Sequence, residues 1–158
     1  MMQPQPSKWL YDFLKTKERF RPSAYAATPN ELARGIWTIG YGHTAGVKEG
    51  DTCTMDQALT WLISDVQKFY SGMIALVKVQ LNQNQVDGLT SLVFNIGVGK
   101  RDGKKGDFAD STLLDKLNRG DFAGAQAEFT KWDHQNGRWM RGLDIRRDEE
   151  AARFGTPC

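Results

Sequence analysis

The 158 residues are 40% apolar and 25% charged, a globular composition able to bury one sizeable core or two small lobes sharing a helix. With 21 basic against 19 acidic residues the net charge is only +2, which argues against a steered nucleic-acid binder, and no apolar run approaches the ~18 residues of a membrane helix. Met1 to Ser7 carries neither a basic segment nor an apolar stretch for export, so a soluble, cytoplasmically made product is expected. Cys53 and Cys158 are too few and too far apart for a disulfide framework and read as free thiols. His43 and His134 sit in no metal-ligand spacing, so neither metal nor cofactor is expected.

Ser7 precedes Trp9, Leu10, Phe13 and Leu14, whose four-residue spacing predicts a helix over about 8–19 with Ser7 as its cap. From Ala24 to Thr44 that periodicity stops. Pro22, Pro29, Gly35, Gly40 and Gly42 punctuate β-prone Tyr25, Ile36, Trp37, Thr38 and Ile39, and a hairpin or three-stranded sheet fits. Thr54 and Gln57 form a capping box, after which Met55, Leu59, Leu62, Val66, Phe69, Met73 and Val77 predict a helix of over twenty residues, with Gly72 a candidate interruption. Lying between a β-rich and a helical part, it is the candidate strut between two lobes of a single domain, about 1–60 and 61–158.

Further on, Asn82 caps a helix reaching Phe94, Ser111 one ending at Gly120, Asp121 one reaching about Trp132, and 144–154 form a last helix. This half is expected to be all helical, with Trp132 and Trp139 packed inside it. The Gly-rich, charged stretch Lys100 to Asp107 predicts a mobile surface loop. The class is α+β.

Glu18 follows Leu14 by four residues, which places it at the inner face of the helix end. It is either a partly buried acid or a solvated helix-end carboxylate beside Lys17 and Arg19. From Ile36 to Thr44 a β-branched hydroxyl, two glycines and an imidazole crowd together, so backbone can approach a ligand closely; the same residues also suit an ordinary tight bend. The spacing matches no nucleotide fingerprint.

Taken together, Glu18, Ala24-Tyr25 and the run Trp37 to Thr44 resemble the signature of the phage-type lysozymes, the endolysins of glycoside hydrolase family 24. The likeness continues through Gln83-x-Gln85, Phe94-Asn95-x-Gly97-x-Gly99, Ser111 to Leu114, Gly120-Asp121 and Gly142-Leu143-x-x-Arg146-Arg147-x-x-Glu150, covering roughly 10–154. It implies a lysozyme-like fold and hydrolysis of the β-1,4 bond between N-acetylmuramic acid and N-acetylglucosamine in a cleft between a small β-containing lobe and a helical lobe. Glu18 becomes the acid, Thr38 its catalytic companion, and Arg146 an orienting partner; the bland reading of Arg146 is a surface arginine paired with Glu149 or Glu150. Thr44, Phe94, Asn95 and Ser111 fall where the family lines its sugar cleft, although Phe94 equally suits a core. His43 is expected to be structural, its ring bonding backbone near the acid.

One position departs from the pattern. Two residues after Tyr25 the family carries an aspartate, and here stands Ala27, whose methyl can neither take a proton nor counter a positive centre. Three explanations compete: an inactivated variant of an active endolysin; a natural enzyme in which Glu31, or Glu18 alone in the manner of lytic transglycosylases, does the work; or a non-catalytic peptidoglycan-binding module. The resemblance also implies a monomer that accumulates in the host cytoplasm and reaches peptidoglycan in the periplasm through a holin, with neither nucleic acid nor stable membrane insertion involved.

Overall fold

A computed structural model describes all of residues 1–158. It orders the elements as α1 (Lys8–Glu18), β1 (Arg21–Tyr25), α2 (Pro29–Ala33), β2 (Thr38–Gly40), α3 (Met55–Ile74), α4 (Gln83–Ile96), α5 (Thr112–Asn118), α6 (Phe122–Glu128), β3 (His134–Gln135), β4 (Arg138–Trp139) and α7 (Arg141–Gly155). A 3-10 turn, Phe129–Lys131, extends α6. No helix is long and apolar enough to cross a membrane.

The chain divides into two compact units, Tyr11–Gln67 and a second built of Met1–Leu10 with Lys68–Cys158. The expected boundary near residue 60 thus falls seven residues later, inside α3, and the first ten residues belong with the larger unit. Hydrogen bonds explain that placement. Gln3 donates to the Val79 carbonyl at 2.7 Å, the Leu81 amide donates to Gln3 Oε1 at 2.9 Å, and Tyr70 donates to the Pro4 carbonyl at 2.7 Å. Ser7, expected to cap α1, turns its hydroxyl to Asp87 instead, 2.5 Å from Oδ2.

In the smaller unit, β1 and β2 pair antiparallel with Arg21 opposite Gly40 and Tyr25 opposite Thr38, and the register shifts between them. The sheet is a two-stranded hairpin carrying α2 in its connection. That short helix was not expected; Thr28 caps it, its hydroxyl accepting from the Glu31 amide, and Pro29 stands at its start, where a missing N–H costs nothing. Thr54 and Gln57 make the anticipated reciprocal bonds at 2.9 and 3.2 Å, and α3 then runs 20 residues without a break at Gly72. Gly72 faces the Val98 side chain, which a Cβ would meet at 3.0 Å.

The larger unit closes around α4, buried at nearly every position from Asn84 to Phe94. Its core joins Met73, Leu89, Leu92, Phe108, Leu113, Leu114, Phe129 and Phe154, each fully enclosed side chain contributing about 1.5–3 kcal/mol by leaving water. α4 and α7 approach so closely at Gly88 that a Cβ there would stand 2.7 Å from the Glu150 carbonyl. Caps at Asn82, Ser111 and Asp121 start α4, α5 and α6 as the sequence predicts, and α7 begins three residues early. Two expectations fail here. The unit is not all helical, because β3 and β4 form a small hairpin across the positive-φ pair Asn136 and Gly137. Trp132 packs on the core, but Trp139 on that hairpin is 54% exposed. The charged loop 100–107 is anchored: Asp110 Oδ2 accepts from the amides of Asp102 and Gly103 at 3.0 and 3.1 Å.

Candidate active site

Glu18 is the last residue of α1 and half-buried. Arg19 follows at φ 53°, a left-handed turn that ends the helix and sends the chain into β1. After β2 the chain doubles back at once: the amides and carbonyls of Ile39 and His43 bond each other at 2.9 Å in both directions. Closing so tight a turn takes Gly40 at φ 63° and Gly42 at φ 76°. Gly42 also has a second reason to lack a side chain, since a Cβ there would stand 2.8 Å from Glu18 Oε2 and 3.3 Å from its Cδ. The Gly-x-Gly of the sequence therefore lays bare backbone against the carboxyl of Glu18.

His43 continues from that turn and is buried. Its Nδ1 lies 2.7 Å from Asp65 Oδ2, and its ring stacks on Trp61 with centroids 4.6 Å apart and planes 10° from parallel. The expectation that this ring bonds backbone is corrected: its partner is a carboxylate one turn along α3 from the tryptophan beneath it. Neither Asp65 nor Trp61 was singled out from the sequence, where only their four-residue spacing hints at a shared helical face. Such a clamp fixes the ring, and with it the end of the glycine turn.

Across the hairpin, Thr38 is buried opposite Tyr25. The Arg21 guanidinium lies 4.8 Å from the centre of the Tyr25 ring. Burial raises the Tyr25 pKa, Arg21 opposes that rise, and the negative charges of Glu18 and Glu31 add to it. Both carboxyls thus stand within electrostatic reach of one phenol. Ala27 is exposed in the bend between β1 and α2, and Thr44 is exposed just past His43. The smaller unit thereby brings together Glu18, Tyr25, Thr38, Gly42 and His43.

The other sequence-selected residues belong to the larger unit. Phe94 is buried edge-on against Phe69, rings 5.4 Å apart. Ser111 is buried as the cap of α5, its hydroxyl donating to the Phe108 carbonyl and accepting from the Leu114 amide. Asn95 is exposed and lines a cavity of about 400 Å³ with Trp132, His134 and Leu143. Arg146 is buried, so the surface reading of it is corrected, although its pairing with Glu150 is real: Nε donates to Glu150 Oε2 at 3.2 Å. Arg147 Nε lies 2.7 Å from Glu150 Oε1, and Ser91 donates to Glu150 Oε2 at 2.5 Å. Burial pushes the Glu150 pKa up while both guanidiniums and Ser91 oppose it. No group of three or more His, Cys, Asp or Glu is placed to hold a metal ion, and both cysteines are free thiols.

A small β hairpin beside a long helix, followed by a helical remainder, is the α+β architecture of lysozyme-like proteins, and comparison with solved structures agrees. The muramidase domain of SpmX from Asticaccaulis excentricus superposes with a TM-score of 0.82 at 31% identity, over 98% of this chain and 100% of that one. The sequence matches the phage lysozyme family over residues 15–150. It is 41% identical to the endolysin of Acyrthosiphon pisum secondary endosymbiont phage 1, over 89% of this chain and 91% of that protein. The endolysin of Bacillus phage PZA is 39% identical over 92% of this chain, which spans only 54% of that protein's length. The chain belongs to the phage lysozyme family. It is a peptidoglycan-directed glycoside hydrolase of the endolysin kind.

Proposed function

We propose that this protein cleaves the β-1,4 bond between N-acetylmuramic acid and N-acetylglucosamine with Glu18 as general acid. The observation that carries this reading is the bare Gly42 backbone against the Glu18 carboxyl, an approach any side chain at 42 would obstruct. Glycoside cleavage requires a proton at the leaving oxygen as an oxocarbenium-like centre develops, so the acid needs a fixed place and a partly desolvated setting to stay protonated. Glu18 is half-buried at a helix end, and Thr38 offers a hydroxyl from the neighbouring strand. On the family resemblance, Thr44 and Asn95 are accessible sugar contacts and Arg146 orients the acid; Phe94 and Ser111, given the same sugar-contact role by the resemblance, are buried. At Ala27 the resemblance implies a second carboxylate that the methyl cannot replace. The same resemblance assigns a monomer that reaches the wall through a holin.

The test uses chloroform-treated Gram-negative cells and purified sacculi. Ala27→Asp is expected to clear turbidity at least as fast as the parent chain, and Glu18→Gln to lower clearance about 10²–10⁴-fold in either background. Mass spectrometry then finds reducing ends on the released muropeptides; 1,6-anhydro ends would replace hydrolysis with transglycosylation. Clearance that survives Glu18→Gln overturns the assignment. Host-cell lysis that needs chloroform or a holin supports the release route, and lysis by the protein expressed alone contradicts it.

A further inference from the structure

Glu31 sits at the third position of α2, where a glutamate ordinarily reaches back to the amide of the capping residue. It makes no such bond. Its amide donates to the Thr28 hydroxyl at 3.1 Å, its carbonyl accepts from Ile36 at 2.8 Å, and its Oε2 is buried with no hydrogen-bond partner. A carboxylate oxygen withdrawn from water with no donor is costly, and such groups persist where a ligand or reacting molecule completes them. The place is telling. α2 fills the connection between Tyr25 and Thr38, which face each other across the hairpin. The unsatisfied carboxylate thus lies in the β1–β2 connection of the same compact unit that carries Glu18.

We propose that Glu31 is a catalytic carboxylate of this chain and supplies the function that Ala27 cannot. The proposal rests on the reading of Glu18 as general acid. Water loses a proton to Glu31 as its oxygen bonds to the anomeric carbon. The bond from that carbon to the bridging oxygen breaks, its electron pair stays on the leaving oxygen, and Glu18 gives that oxygen its proton. Exchange with solvent then returns Glu31 to carboxylate and Glu18 to acid. The orphan oxygen finds its donor in the attacking water.

The full chain and four variants, Glu31→Gln, Glu18→Gln, Ala27→Asp and the double variant Ala27→Asp with Glu31→Gln, are compared by release of reducing ends from purified sacculi. Glu31→Gln is expected to lower kcat about 100-fold with little change in KM, and the same substitution costs at least about tenfold less beside Asp at 27. The chain retaining its rate in Glu31→Gln while Glu18→Gln abolishes it overturns the role of Glu31 and leaves Glu18 intact. So does a parent chain no faster than its Glu18→Gln variant when Ala27→Asp is active. Inactivity of Ala27→Asp as well would remove the Glu18 reading and this one together. Urea unfolding checks that Glu31→Gln folds; removing an unpartnered charge should not lower the midpoint. Should it do so, Glu31→Met, similar in shape and apolar, repeats the comparison.

Discussion

Two glutamates on helices, Glu18 in the smaller unit and Glu150 in the larger, have the same side chain in very different surroundings. Glu150 is wholly buried, and Arg146, Arg147 and Ser91 converge on its two oxygens. Glu18 is half-exposed at a helix end, with the bare backbone of Gly42 beside one oxygen. A carboxylate enclosed by three donors is held in place and kept from water, whereas one half-exposed at a helix end stays within reach of a substrate. The contrast predicts opposite sensitivities: stability at Glu150, activity at Glu18.

The largest effect on stability is expected at Glu150. Removing it by Glu150→Ala leaves buried guanidinium charge uncompensated, a loss of about 3–5 kcal/mol in urea unfolding. A cost below about 1 kcal/mol would erase the distinction between the two sites. The complementary arm is Glu18→Gln, whose effect on stability should stay within about 1 kcal/mol because the group is half-solvated.

Gly42→Ala sharpens the same comparison at intermediate size. A methyl at φ 76° is strained and 2.8 Å from Glu18 Oε2, so the carboxyl must move. The strain costs about 1–2 kcal/mol, and a displacement of the acid by the order of 1 Å lowers kcat about 10–100-fold in the Ala27→Asp protein. If kcat holds while stability falls, Gly42 serves only the turn.

How much of this was legible in the sequence depends on the range of the interaction. The caps at Thr54, Asn82, Ser111 and Asp121 were readable because a cap is settled within three residues. The Thr28-Pro29 start of α2 was equally local, but it lay among prolines and glycines that pointed to strands, and the helix is only five residues long. The turn at Asn136-Gly137 carries the usual hairpin signal, but its flanking strands are two residues each, too short for an alternating pattern to mark them. Glu18, Thr38 and the glycine turn came through the order of motifs along the chain. The clamp on His43 did not, since nothing near residue 43 names Asp65 as its partner. Likewise the meeting of Ser91 with Glu150, 59 residues apart, is fixed by how α4 packs on α7.

The smallest prediction concerns a third glutamate, intermediate between the other two. Glu128 is buried, but the lysines that reach it, Lys116 at 2.7 Å and Lys131 at 2.8 Å, are partly and largely exposed. Burial alone would raise its pKa; the hydrogen bonds and charges of the two lysines outweigh burial and hold it below the ordinary carboxylate range. A depressed native pKa means that the unfolded chain takes up the proton first. The stabilisation is therefore complete above the unfolded value, near 4.3, and disappears as pH falls through the lower native value. With one lysine in open solvent, screening limits the effect to about 1–2 kcal/mol. Glu128→Gln should accordingly unfold more easily than the parent at pH 7, with the gap closing as pH drops below about 4. A gap of constant size across that range would mean that Glu128 contributes by packing, which would place it with neither Glu150 nor Glu18.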